Sequence, residues 1–431
     1  MERESSGRAS FVRPLGAELP QGLRVCLHIL IPTHSDVRAT RAATTLAQAR
    51  IAVTVVDVES VAVRQRQEGA ELDNVDVRHV MMPSWHVSTR FKPWFLVKQI
   101  RLSLHATMEL LRVRADIYHA CELASLPACY VAARLRGKPL VFDPYDLPLD
   151  YPRLARWRRL HALAAWVLRA MLPYCAGVIV TSPPEGRELQ QRFGGPVPAL
   201  VRNIPPYQVP APSRRLHERL QLSPHTRIAL YQGHVKEDRS LETLVHAARF
   251  LDPEIAIVMM GDGPNWSELT ALIAQEEVRD RVYLLPAVPN SELLTWTASA
   301  DLGLIVYPPA YSMNRRICLP NKLFEYLMAG LPVLTAPLEA IVEVVRTYDV
   351  GAVVPSVEPE AVGRAISALL ADEAAMARMR RNALAACARE LRWEVEQERL
   401  VALYAYVTRR HAGDRSPATW VRNRRARSAS A

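Results

Sequence analysis

Short apolar runs rich in Val, Ile and Leu recur thirteen times along this chain, most of them separated by segments of helical length, and the recurrence is interrupted once. The first group lies at 24–31, 51–57, 75–80, 116–119, 139–143, 177–181 and 199–201. The second lies at 228–232, 255–260, 282–285, 302–307, 332–335 and 352–354. Helical patterns fill the first half at about 37–50, 94–113, 122–136, 153–171 and 183–193. They fill the second at about 240–251, 264–276, 290–299, 321–329, 339–347 and 359–371. Strands that carry no polar alternation need cover on both faces, and helices between them supply it, so each half predicts a parallel sheet in an α/β layer structure. Between the halves stand Pro205, Pro206, Pro210 and Pro212, a stiff linker that marks a domain boundary at 203–212. The expected architecture is two Rossmann-like, doubly wound domains facing across a cleft, at 22–205 and 206–385. A disordered leader is expected at 1–21 and a basic disordered tail at 413–431.

Composition narrows the function classes. With 431 residues, 49% of them apolar, the chain has ample material for two cores. Its six cysteines form no Cys-x-x-Cys pair, so neither a zinc site nor a disulfide framework is expected, and reduced thiols fit a cytoplasmic protein. The start, Met1 to Ser6, lacks the apolar core of a signal peptide. The most apolar stretch, 160–180, is broken by Arg169 and Pro173 and is too short to span a bilayer. The formal charge of +10 is concentrated in Arg90 to Arg114, in Arg153 to Arg169 and in the tail beyond Arg415. Trp94, Phe95, Trp157 and Trp166 lie among the first two clusters, a composition suited to an anionic membrane face. No groove-reading element or stacking platform accompanies the charge, so nucleic acid is not an expected partner.

Four segments of the second half have the form of ligand-binding turns. Pro320-Asn321-Lys322 opens a helix with a buried stripe (Leu323, Phe324, Leu327), places Glu325 near its start, and closes at Gly330 before Pro332. Gly330 is expected to take the left-handed conformation that ends a helix. Gly233, His234 and Arg239 follow the first strand of this half and open a helix, where unpaired N–H groups and a guanidinium suit a diphosphate. Gly261-Asp262-Gly263 makes a tight turn after the second strand, and Leu284 to Pro289, including Val288, follows the third. No Asp-x-Asp motif stands at a strand end, so no bound metal is expected.

Taken in order, these motifs resemble the retaining glycosyltransferases of the two-domain GT-B type, specifically glycosyltransferase family 4. The resemblance covers roughly 22–410 and is strongest over 227–371. It implies transfer of a sugar from a nucleoside diphosphate sugar to an acceptor hydroxyl, with retention and with no cofactor beyond the donor itself. It implies that Glu325 binds the ribose hydroxyls, that Arg239 stands where the family carries its diphosphate Lys, and that His234 replaces the family's Arg. Gly261, Gly263 and Val288 fall in the segments that cradle the donor. Counting back from Glu325 puts the family's first Glu at Ile317, and a loop with Ser312, Asn314, Asn321 and Lys322 takes its place as a sugar-diphosphate platform. In the first half, His119, Cys121 and Glu122 match the strand end that carries the family's cleft histidine; Cys121 occupies that position and Glu122 is the nearest acid. Asp143 and Asp146 match the next strand end. A last helix, 386–412, is implied to return to the first domain. The expected acceptor is a glycan, a lipid-linked sugar or a small molecule, and the basic, aromatic-bearing segments of the first half make reversible, peripheral attachment to the inner face of the membrane an expectation of their composition rather than of the resemblance. Two alternatives stay open: a non-catalytic nucleotide-sugar-binding partner of another transferase, and a two-domain sugar-nucleotide epimerase.

Overall fold

The computed structural model describes residues 19–60, 72–82, 92–150, 157–308 and 311–414, with side chains at all but 60, 82, 92–96, 238, 413 and 414. The expected leader up to residue 18, the tail beyond 414, Arg90, Arg153 and Arg156, and the side chains of Trp94 and Phe95 lie outside what is described. The chain divides into two compact units. One holds residues up to Val201 and again from Gln397 onward; the other holds Arg202–Glu396.

The first unit is built on β1 (Arg24–His28), β2 (Ala52–Ser60), β3 (Val75–Met82), β4 (Ile117–Cys121), β5 (Leu140–Asp143), β6 (Gly177–Val180) and β7 (Ala199–Leu200). The second is built on β8 (Arg227–Gln232), β9 (Ile255–Met260), β10 (Val282–Leu285), β11 (Leu302–Ile305), β12 (Val333–Thr335) and β13 (Gly351–Val353). The sheets run β3-β2-β1-β4-β5-β6-β7 and β10-β9-β8-β11-β12-β13. Every pairing is parallel. Each sheet therefore has the doubly wound order in which the chain moves outward from its first strand, returns, and continues on the other side. The crevice where the order reverses lies between β1 and β4 in one unit and between β8 and β11 in the other.

All thirteen expected strands are present, shifted by a few residues at most. Both faces of β4, β5, β6, β9 and β11 are buried and, apart from His119 and Asp143, apolar, which is why these runs read as continuous rather than alternating. Capping chemistry sets several helix ends. The Asp36 carboxylate accepts from the N–H groups of Arg38 and Ala39 and starts Val37–Gln48, and Ser182 accepts from Glu185 N at 3.2 Å and starts Pro183–Phe193. The helix Asn321–Met328 ends as expected: Gly330 has φ +75°, Leu331 N–H donates to Tyr326 O at 2.8 Å and Gly330 N–H to Leu327 O at 3.0 Å.

Two short helices were not anticipated. Arg215–Leu220 follows the Pro-rich stretch, and Met313–Ile317 interrupts what reads as a loop. The latter is a single capped turn, with Ser312 Oγ accepting from Arg315 N at 3.2 Å, too short to show a helical period. The long final helix, Trp393–Asp414, begins in the second unit and ends in the first. The chain passes between the units at Val201–Arg202 and Glu396–Gln397. Arg202 and Glu396 are bound to each other by a buried ion pair, Nε to Oε1 at 2.8 Å, and Arg202 N–H donates to Oε2 at 2.9 Å.

Candidate functional site

In the second unit a cavity of about 440 Å³ opens at the C-terminal ends of β8, β9 and β10. β11 pairs with β8 only through Leu302–Ala229 and Gly303–Leu230, and beyond that point the two strands part. The ring of Tyr326 fills the parting: Gln232 N–H donates to its hydroxyl at 2.9 Å, and that hydroxyl donates to Leu304 O at 3.5 Å. Gly303 makes room for the ring, because a Cβ there would stand 2.4 Å from it. The turns after β8 and β9 lie flat on each other. Gly233 N–H donates to Met260 O and Val235 N–H to Asp262 O, both at 2.9 Å. A Cβ on Gly261 would meet Gly233 O at 1.8 Å, and one on Gly263 would meet Val235 O at 1.9 Å. These two glycines are thus demanded by the packing of turn on turn.

Around the cavity stand Gln232, Gly233, His234, Arg239, Gly261, Val288, Asn321, Lys322 and Glu325, among others. The structure so brings together eight of the donor-side residues expected from sequence. Gly263 sits behind the wall, against Val235. Ser312 and Asn314 are not among the lining residues, and Ser312 Oγ accepts from Arg315 N as a helix cap. Ile317, which stands where a glutamate is commonest, is buried.

Two arrangements give this cavity its chemistry. Cations gather on tyrosine faces: Lys322 Nζ lies 3.8 Å from the Tyr231 ring centre and 5.5 Å from that of Tyr307, and the guanidinium carbons of Arg239 and Arg315 lie 4.9 and 5.9 Å from Tyr307. Such a concentration of positive charge on the rings is suited to an anionic guest. Opposite in character is Glu325, whose Oε2 accepts from Gln232 Nε2 at 2.5 Å, while Gln232 Oε1 accepts from Thr297 Oγ1 at 2.8 Å. Thr297 Oγ1 also stands 2.8 Å from Leu293 O, but it has one proton. With the carboxylate ionised, the amide must turn its NH₂ toward Glu325, and the Thr297 proton then belongs to Gln232. The chain of donors has one consistent direction, and it ends on Glu325.

Sequence reasoning did not find Gln232, Tyr231, Tyr307 or Tyr326. Their roles depend on the parting of β8 from β11 and on rings meeting across strands, which leave no local pattern.

The first unit places its candidates at the end of β4. His119 is fully buried; its Nδ1 lies 2.6 Å from the Tyr404 hydroxyl on the final helix, and burial lowers its pKa to about 4. Cys121 is buried beside it, and burial holds its thiol well above the usual range. Both are neutral at neutral pH. Glu122 comes next and is exposed, with φ +65° and ψ 162°, a conformation that costs a residue with a side chain about 1–3 kcal/mol. Its N–H donates to Asp143 O at 2.8 Å. Partial desolvation, then the charges of Asp36, Asp146 and Asp143, push its carboxyl upward.

Around this strand end the Arg38 guanidinium pairs with Asp143 at 2.8 and 3.0 Å, both buried. Tyr145, also at positive φ, donates to Asp36 Oδ2 at 2.8 Å. Glu185 is buried with Oε2 held by Thr181 N and Oγ1 at 2.7 Å each, and burial raises its pKa to about 7. Strain and buried charge cluster at such strand ends in working sites. Among the described residues no group of three or more His, Cys, Asp or Glu could hold a metal ion.

Comparison with known proteins agrees with this geometry. Residues 213–385 match the family described as Glycosyl transferases group 1, and residues 36–206 match Glycosyltransferase Family 4. Over 248 residues the chain is 27% identical to a D-inositol 3-phosphate glycosyltransferase of Xylanimonas cellulosilytica, a match covering 54% of this chain and 57% of that relative's own length. It is 22% identical to the alpha-D-kanosaminyltransferase of Streptomyces kanamyceticus, over 68% of this chain and 77% of that one. Among solved structures, sucrose-phosphate synthase from Thermosynechococcus elongatus superposes with a TM-score of 0.71 at 16% identity, covering 89% of this chain and 98% of that one. HepE from Anabaena, in complex with UDP and glucose, superposes with 0.67 at 15% identity, over 88% and 98%.

Proposed function

The chain belongs to the GT-B glycosyltransferases of the family 4 type, and from that premise we propose that it moves a sugar from a nucleoside diphosphate sugar to an acceptor hydroxyl, with retention at the anomeric carbon. The observation that carries this reading is the cavity at the β8–β11 reversal, where cations on tyrosine faces and an oriented carboxylate share one wall. Glu325 accepts from the ribose hydroxyls. Arg239 and Lys322 meet the diphosphate and stabilise the charge that develops on it as the sugar leaves, in place of a metal ion. Val288 faces the base. In the first unit Glu122 is the exposed acid at the end of β4, and its raised pKa suits a group that takes a proton from an acceptor hydroxyl. His119 and Cys121, enclosed and neutral, hold the strand that presents it.

For the donor we propose a uridine diphosphate sugar, on the strength of the UDP-bound relative. For the acceptor we propose a lipid-linked or cell-envelope glycan at the inner face of a membrane, which the basic helices of the first unit support. A second reading, a nucleotide-sugar-binding partner without turnover, is favoured by the buried Cys121 thiol, which supplies no base at that position.

Calorimetry with UDP, GDP and ADP, followed by donor hydrolysis without acceptor, tests both. Glu325→Ala should weaken nucleotide binding at least about tenfold, since it leaves buried partners unpaired. Unchanged affinity removes Glu325 from the donor site, and binding without any hydrolysis or transfer favours the second reading.

A further inference from the structure

We propose that the first unit docks on an anionic phospholipid bilayer through the outer surface of three helices, with a basic cavity at its edge taking a lipid head-group phosphate. This rests on the acceptor part of the function above and goes beyond it by naming the surface. The helices are Lys92–Arg112, Leu126–Arg136 and Arg158–Met171. They connect β3 to β4, β4 to β5 and β5 to β6, three crossovers that step the same way along the sheet. Crossovers of one hand put all three on one face.

That face is apolar where a water-exposed surface should be polar. On Lys92–Arg112 the residues Leu102, Ala106 and Leu110 are buried, as the inner stripe of such a helix should be. On the opposite side Ile100 (53% exposed), Leu104 (60%) and Met108 (49%) form a second stripe at four-residue spacing. Leu135 (68%) is exposed on the neighbouring helix and Trp166 (66%) on the third. Of the sixteen large apolar residues exposed among the described residues, nine lie on these helices or at Tyr174 just after them. Single exposed apolar residues need no explanation, but this concentration does.

Charge decides what covers the face. The three helices carry nine Lys or Arg residues and one acid, Glu109, which is paired with Arg112. Lys98, Arg101, His105 and Arg112 run beside the apolar stripe at helical spacing. A second copy of the same face would bring like charges together. An apolar stripe flanked by cations fits lipid chains beneath anionic head groups. At the C-terminal end of Leu126–Arg136 a cavity of about 420 Å³ adds the pocket, lined by Arg134, Lys138, Arg410, His411, Tyr130 and Tyr174. Arg134 stacks on Tyr174 at 5.1 Å, and the two tyrosines meet edge to face at 5.9 Å. No acid lines it.

The test is co-sedimentation of the full chain with vesicles, without donor or acceptor, so that its outcome is independent of catalysis. Vesicles of phosphatidylcholine with about one third phosphatidylglycerol should bind the chain, and pure phosphatidylcholine should not. Raising salt from about 0.1 M to about 1 M should remove most of the bound protein. Leu104→Asp with Met108→Asp should reduce binding at least about tenfold, and Arg134→Gln with Arg410→Gln should weaken it by a smaller factor, both with nucleotide affinity unchanged. Absence of binding to anionic vesicles at low salt overturns the proposal. So does equal binding by the Leu104→Asp, Met108→Asp variant, or a concentration-dependent dimer that the same variant abolishes.

Discussion

Gln232→Leu isolates what the amide does for Glu325. Gln232 is 2% exposed and both ends of its amide are engaged, at 2.5 Å to Glu325 and 2.8 Å to Thr297. Leucine fits a similar volume and gains about 1 kcal/mol of apolar burial. Against this, a hydrogen bond to a charged group contributes about 1.5–3 kcal/mol and a neutral one about 1. The net loss of fold stability is then about 1–3 kcal/mol, and the same loosened carboxylate should lower affinity for a ribonucleoside diphosphate about tenfold. The decisive measurement is calorimetry with UDP and with 2′-deoxy-UDP on the wild type, Gln232→Leu, Glu325→Ala and the double variant. If Gln232 aims the carboxylate at the ribose, it costs affinity for UDP and little for the deoxy analogue, and the cycle is strongly non-additive. Equal losses on both nucleotides, or additive single effects, would refute the reasoning.

Gly261→Ala puts a methyl 1.8 Å from Gly233 O, so it should cost about 2 kcal/mol or more of stability and abolish nucleotide binding, read by thermal shift with and without UDP. Glu396→Ala leaves buried Arg202 with only the longer ion pair to Glu390 at 3.7 Å and should cost about 3 kcal/mol by chemical denaturation, whereas Glu396→Gln, which keeps an acceptor for Arg202 N–H, should cost less. Glu185, raised to about 7 by burial, stays protonated in the fold after it has ionised in the unfolded chain, so its contribution is full at low pH and is lost as pH rises from about 4.5 to about 7. His119, lowered to about 4, has the opposite sign and loses stability as pH falls below about 6.5. Glu185→Gln should therefore make denaturation midpoints more sensitive to acid, and an unchanged pH profile would rule out its titration.

Much of this fold is legible because buried parallel strands announce themselves. β9, for instance, is six apolar residues in a row, bounded by a proline-containing turn and a Gly-Asp-Gly turn. Glu325 and Gly330 were legible for a related reason, since helix start, apolar stripe and left-handed stop all lie within ten residues. What sequence could not give are pairings across great separation: Arg38 with Asp143, Tyr404 with His119, Gln232 with Glu325. Lys322 was found as a charge but not as one stacked on Tyr231. The loop at 307–319 holds one capped turn, too short to leave a period, and Ser312, which reads as a sugar contact, also accepts a hydrogen bond there as the cap. The basic clusters at 92–114 and 158–171 were legible as charge; the apolar stripe beside them emerged only when the buried side of each helix was known.

The final helix has a consequence for how the protein is made. The first unit is discontinuous in sequence: it is interrupted at Val201 and resumes at Gln397. Part of its core is closed by the late arrivals Leu403, Tyr404 and Val407, which lie against Gly177 on β6 and reach His119 on β4. On the ribosome the entire second unit emerges before these residues do. The half of the protein synthesised first is thus the half completed last, with the part of its sheet around His119 and Gly177 waiting for its cover through the synthesis of everything between.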